Sequence, residues 1–265
     1  MRNVRITLVL TLAASFWLGA CGGAASPAGS GGTGGNSGTP PPSVAVNGAY
    51  TGSYTVSGQA ATPVLGALSA TSAGYFADSN GFVYILPAIP SSGTVSGTVT
   101  GYAPPGQAFS SGKTVQTFTV TGAATGATGS AISGTIAGGG INATFTLASK
   151  PIAASATLAG LAGSYTGFYT GSTQATLSLS LSSAGAITGF DSFGCSITGT
   201  LATAADGLFT ITGNSSGNGC ASDFTGMGFA ATSDLANAFS GAAGTYVYVG
   251  ASNASSAFAA ELKHQ

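Results

Sequence analysis

The chain has 265 residues, a formal net charge of −1 and only 4% charged residues, against about 25% in an average globular domain, and glycine fills 44 positions. Apolar residues make up 44%, close to normal, so a buried core is available and general disorder is excluded. Beyond Arg2 and Arg5 the basic residues are Lys113, Lys150 and Lys263, too few and too scattered for a nucleic-acid surface or for steering a charged substrate.

At the N-terminus, Arg2 and Arg5 precede an uncharged run from Ile6 to Ala20 that ends in Leu18-Gly19-Ala20-Cys21. The run is shorter than the roughly 20 residues of a spanning helix. Positive start, short apolar centre and small-residue end predict an export signal over residues 1–20. The stretch "LGAC" is also similar to the lipobox of bacterial lipoproteins. That resemblance implies that Leu18, Gly19 and Ala20 are read by the signal peptidase and that Cys21 becomes an acylated first residue. Two or more acyl chains hold a protein firmly to a bilayer. By the same resemblance, Gly22 in place of an aspartate after the cysteine favours the outer membrane, with the face left open. Cleavage would remove Trp17, the chain's only tryptophan.

Residues 22–43 contain no charge, no aromatic ring and no large aliphatic side chain, and end in Pro40-Pro41-Pro42-Ser43. With Cys21 they read as a lipidated tether over 21–43, whose root-mean-square reach is about 25–28 Å.

The remainder repeats itself. "GAYTGSYT" at 48–55 returns as "GSYTGFYT" at 163–170, "LSATSAG" at 68–74 as "LSLSSAG" at 179–185, and "DSNG" at 78–81 as "DSFG" at 191–194. "VSGTV" at 95–99 and "TFTVTG" at 117–122 are matched by "ITGTL" at 197–201 and "LFTITG" at 208–213. The shared order predicts two homologous units, 44–150 and 159–265, with 151–158 between them.

Within the units, period-2 alternation replaces any helical pattern. "INATFTL" sets Ile141, Ala143, Phe145 and Leu147 on one face, and "ATLSLSL" sets Ala175, Leu177, Leu179 and Leu181 against Thr and Ser. "AFAAELK" opposes Phe258, Ala260 and Leu262 to Ala259, Glu261 and Lys263. One core face and one hydroxyl-rich solvated face is the pattern of antiparallel sheets. The expected fold is all-β: two tandem antiparallel units, each a small up-and-down barrel closed by pairing its last strand with its tyrosine-rich first. A β-sandwich is the alternative.

Tyr50 and Tyr54 share a strand face with Gly52 between them, as Tyr165 and Tyr169 do with Gly167. They either pack the barrel core or line a ligand cavity, since barrels of about eight strands can hold one small molecule. With Cys21 acylated, Cys195 and Cys220 remain, and in an exported protein they are expected to form one disulfide.

No catalytic residue is identified. "GNSSG" at 213–217 fits G-x-S-x-G without a strand-to-helix elbow, and "GSGGTG" at 29–34 falls in the tether. Asp191, Asp206, Asp223 and Asp234 stand beside Gly, Ser or Ala, mostly as turn residues, and Asp78 and Asp191 occupy equivalent turns. The only histidine is the penultimate His264, so no metal site and no cofactor are expected.

The expected function is an outer-membrane-anchored binding or adhesion module, not an enzyme. It is presented on a tether toward an unknown protein, glycan or small apolar ligand. The architecture bears a resemblance to tandem-barrel surface lipoproteins of the transferrin-binding type, which implies surface presentation and nothing about ligand. The alternative is a structural envelope or fibre component assembling through sheet edges. A membrane-spanning barrel is disfavoured because the face opposite the core is Ser/Thr-rich.

Overall fold

The computed structural model describes residues 46–265 apart from 70–73, 88–93, 126–129, 154–155, 205–206, 221–222 and 238–240. The signal with Leu18, Gly19 and Ala20, the acylation candidate Cys21, the tether and Asp206 lie outside the described residues. Residues 42–265 form one compact unit that contains two closed eight-stranded barrels.

Barrel 1 comprises β1 (Gly48–Val56), β2 (Thr62–Leu68), β3 (Gly74–Asp78), β4 (Val83–Leu86), β5 (Thr94–Tyr102), β6 (Val115–Thr125), β7 (Ala131–Gly138) and β8 (Ile141–Lys150). Barrel 2 comprises β9 (Gly163–Gly171), β10 (Ala175–Leu181), β11 (Ala186–Asp191), β12 (Ser196–Thr203), β13 (Leu208–Ser216), β14 (Phe224–Ser233), β15 (Ala243–Ser252) and β16 (Ala257–His264). Each strand pairs antiparallel with its chain neighbour, and β8 returns to β1 as β16 returns to β9. This is the expected up-and-down barrel, twice, and not the sandwich. The registers are equivalent: Tyr54 faces Phe145 across β1 and β8, and Tyr169 faces Ala260 across β9 and β16.

The glycine between the paired tyrosines has a steric reason. A Cβ at Gly52 would strike the carbonyl of Thr146, and one at Gly167 the carbonyl of Glu261. The first and last strands therefore cross closely enough to close each barrel only with glycine there.

Strand order corrects part of the repeat alignment. The tyrosine-rich strands and the Asp-Ser-x-Gly turns are equivalent, but "VSGTV" lies in β5 while "ITGTL" lies in β12, the counterpart of β4. "TFTVTG" and "LFTITG" are likewise one strand out of step, in β6 and β13. Thr and Gly alternating with aliphatics produce such matches on any strand of this composition.

Closure has a second consequence. Both sheets are rings, so none of the described strands offers a free edge, and the expected route to fibres through edge pairing has no structural basis.

A third correction concerns the outer faces. In β10 the outward Thr176, Ser178 and Ser180 are exposed as anticipated. On β14 and β15, however, the outward Met227, Phe229, Tyr246 and Tyr248 are buried against Ala49, Ala67 and Tyr75 of barrel 1. The two barrels thus share an apolar seam, on which the ring of Tyr75 lies where a side chain at Gly250 would be. Sheet faces buried on both sides carry continuous apolar runs. "TYVYVGA" at 245–251 is such a run, a signal of the seam that alternation elsewhere obscured.

Candidate functional site

Equivalent turns open the two interiors in the same way. In barrel 1, Asp78 Oδ1 accepts the backbone N–H groups of Asn80 (2.8 Å) and Phe82 (3.0 Å), and Oδ2 accepts the hydroxyl of Tyr54 (2.9 Å). In barrel 2, Asp191 Oδ1 accepts Phe193 N–H (2.9 Å) and Cys195 N–H (3.0 Å), and Oδ2 accepts the hydroxyl of Tyr169 (2.9 Å). Both carboxylates are buried. Four donated hydrogen bonds at Asp78, counting the Tyr84 hydroxyl at 3.4 Å, and three at Asp191 explain how a carboxylate is held there. Turn formation, predicted for both aspartates, is their local role; the tyrosine bond adds a link from turn to barrel interior.

Beyond this turn the barrels diverge. Barrel 1 is filled: Tyr54, Phe76, Tyr84 and Phe145 belong to or pack against its aliphatic core, leaving a void of about 60 Å³. Its upper end is covered by residues 103–114, whose Phe109 packs at 5.0 Å from the ring of Phe82 and 5.2 Å from that of Phe118. Burial and then the Asp78 charge push the Tyr54 phenol up to about 12, and burial also raises the Asp78 carboxyl.

Barrel 2 is hollow. Its interior holds a cavity of about 390 Å³, within the usual range of about 300–1,000 Å³ for small-molecule sites. The walls are mostly aliphatic, with Leu177, Ile187, Ile197 and Ile211 among them. Tyr169, Phe224 and Phe258 form an aromatic corner, with ring centroids 5.6 Å apart for Tyr169 and Phe258 and 5.2 Å for Phe224 and Phe258. Polar atoms gather at one end, where Tyr169 and Asp191 meet Thr173, Ser215 and Asn218. Burial and then the bond to Asp191 raise the Tyr169 phenol to about 12, so it remains a neutral donor at physiological pH.

That polar end is the mouth. It is bordered by Phe193, which is 67% exposed, and by the disulfide between Cys195 and Cys220. The predicted pair thus forms, with Cα atoms 5.8 Å apart, and joins the turn before β12 to the loop before β14. The opposite end is shut by Leu161, whose carbonyl accepts the Tyr165 hydroxyl at 2.6 Å, and by Leu158 packed on the same core. Burial lifts the Tyr165 phenol to about 12.

The four candidate tyrosines therefore divide. Tyr50 and Tyr54 pack a filled core, whereas Tyr165 and Tyr169 line a cavity. The described aspartates of the second unit do not converge. Asp191 faces the cavity, Asp223 accepts the Asn214 amide at 2.9 Å outside it, and Asp234 lies on the seam. Among the described residues no three His, Cys, Asp or Glu side chains gather into a metal-binding group.

Sequence reasoning missed one polar cluster. Glu261, only 6% exposed on the seam side of β16, accepts the Tyr248 hydroxyl at 2.9 Å and is hydrogen-bonded to Asp234. Tyr248 in turn accepts Leu235 N–H at 2.7 Å. Burial first, then Asp234, pushes the Glu261 carboxyl up to about 8. The Tyr75 hydroxyl, buried beside this pair, has no hydrogen-bond partner among the described residues. Alternation alone puts Glu261 on a solvated face, whereas in the fold Tyr248, Asp234 and the docked barrel 1 bury that face.

No family model and no curated protein matches the chain. Among solved structures, one of a Bacteroides fragilis protein described as a candidate outer membrane protein is similar, with 12% identity, 83% of this chain and 97% of that chain covered, and a TM-score of 0.30. A likeness at that level carries no functional argument, and the reading of this chain rests on its own residues.

Proposed function

We propose that the chain is a lipid-anchored envelope protein whose second barrel binds a small, largely apolar molecule, with the first barrel as a filled structural partner. The observation that carries the binding role is the cavity of about 390 Å³ in barrel 2, beside a void of only about 60 Å³ in its topological twin. Interiors are ordinarily packed with few voids larger than a water. An apolar space of this size in a disulfide-bordered barrel is costly as packing and useful as a site. Each methylene a ligand buries there contributes about 0.8 kcal/mol. The carriage to the envelope and the anchor rest on the signal pattern and on the lipobox resemblance around Cys21.

Titration with the fluorescent probe N-phenyl-1-naphthylamine tests the binding role. One saturable site per chain is expected, competed by other apolar molecules; absence of saturable binding would end the proposal. Cys21→Ala tests the anchor: the variant is expected in the soluble envelope fraction, and continued membrane attachment would refute acylation at Cys21.

A further inference from the structure

The two barrels place different side chains on the same framework, and the difference bears on what barrel 2 can hold. Tyr84 stands six residues after Asp78, and Ile197 stands six residues after Asp191. Phe76 stands two before Asp78, and Gly189 two before Asp191. Phe145, opposite Tyr54, is replaced by Ala260, opposite Tyr169. Three rings are thus absent from barrel 2. The returns are partial: Leu179 replaces Gly66 across from the Phe76/Gly189 position, and Phe258 replaces Ala143.

The hydrogen bonding differs at the same point. Asp78 Oδ2 accepts two hydroxyls, from Tyr54 at 2.9 Å and from Tyr84 at 3.4 Å, and the Tyr84 hydroxyl lies 3.4 Å from that of Tyr54. Asp191 Oδ2 accepts one among the described residues, from Tyr169. A carboxylate oxygen has two lone-pair sites. With Ile197 where Tyr84 would be, one acceptor site on Asp191 borders an apolar cavity without the donor its twin receives.

We infer that barrel 2 takes a neutral, ring-bearing molecule with a hydroxyl donor, a phenol or a ring alcohol. Its ring occupies the volume that the Tyr84 phenol fills in barrel 1, and its O–H donates to Asp191 Oδ2 beside Tyr169. This deepens the proposed binding role and rests on it. Tyr169, Phe224 and Phe258 supply edges and faces for a ring, in the tilted and edge-on geometries aromatic pairs prefer. The exposed Phe193 stands at the mouth where barrel 1 has Asn80, so a ligand entering there meets an apolar rim.

The test compares two probes of one ring system, 2-naphthol and 2-methoxynaphthalene, by titration calorimetry on the purified full chain. The donor is expected to make 2-naphthol bind at least about tenfold more tightly, the scale of a hydrogen bond to a charged acceptor. Asp191→Asn should narrow that ratio, and Ile197→Tyr, which restores the barrel 1 plug, should abolish binding of both probes. Equal affinities for the two probes in the unaltered chain would overturn the donor assignment while leaving the apolar site intact. Binding of neither would overturn both. Undiminished binding of both by a folded Ile197→Tyr chain would overturn the placement of the ring. The probe pair on the unaltered chain decides the matter even if Asp191→Asn fails to fold.

Discussion

Barrel 1 and barrel 2 share strand order, closing register and an equivalent aspartate turn, yet one is solid and the other hollow. The contrast comes from few positions. Tyr84, Phe76 and Phe145 fill the first interior, while Ile197, Gly189 and Ala260 leave the second open. The loop of residues 103–114 brings Phe109 over the first mouth, whereas at the second mouth Cys220 is bonded to Cys195 and both border the cavity. A closed sheet holds its shape through its hydrogen-bonded ring, so its centre can be emptied without losing the wall. Duplication therefore allows one copy to retain a packed core while the other encloses a cavity.

The largest effect in this comparison is expected from Phe145→Ala, which writes the barrel 2 residue into barrel 1. A cavity in a packed core costs about 3–5 kcal/mol, and thermal unfolding should show it. The same measurement on Ala260→Gly in barrel 2 should show a much smaller loss, because that position already borders empty space; equal losses would contradict a hollow second barrel. Next, Cys195→Ser with Cys220→Ser should lower the stability of barrel 2 by about 3 kcal/mol in the loop-closure model. Hydrogen exchange should localise the loosening to β12–β14 and leave barrel 1 protected. A smaller effect is expected for Ile197→Tyr, within about 1–2 kcal/mol of the starting stability, since the new ring enters existing space and its hydroxyl finds Asp191. A large destabilisation there would mean that the cavity does not match the Tyr84 volume.

A further effect is spread over several pH units and concerns the seam. Glu261 is held at about 8 in the folded chain, above its ordinary value near 4.5, so the folded state binds the extra proton between these limits. Stability should therefore be greatest below about pH 4.5 as far as this group is concerned, fall as pH rises toward about 8, and level off above it. Asp234, Tyr248, Tyr246 and Tyr75 are the titratable groups around it. Melting curves across that range test the slope, and Glu261→Gln should flatten it. A profile unchanged by the substitution would show that the carboxyl is not buried in the seam.

Much of the wall was legible in the chain. Alternation in "ATLSLSL" and "INATFTL" identifies inward and outward faces locally, because side chains of a strand point to opposite sides at every step. The paired "GAYTGSYT" and "GSYTGFYT" segments announced two barrels closed at the same strand. Less of the site was legible. Tyr169 and Asp191 were visible as a tyrosine and a turn aspartate, but their bond spans 22 residues and depends on the register of β9, β10 and β11. Ile197 reads as an ordinary core residue until Tyr84 is seen in its place, and the strand-shifted repeat matches concealed that correspondence. Glu261 looked solvated because nothing local to β16 reveals that another barrel covers it.

By itself, then, the sequence determined the all-β class, the duplication and the thiol pair, which follow from periodicity, repetition and a count of cysteines, while the choice of closed barrel over sandwich came from the strand pairing. The tertiary structure alone decided which interior is full, which acceptor faces empty space and which outer face is buried. Those depend on volumes and distances summed across eight strands, and no single stretch of chain contains such a sum.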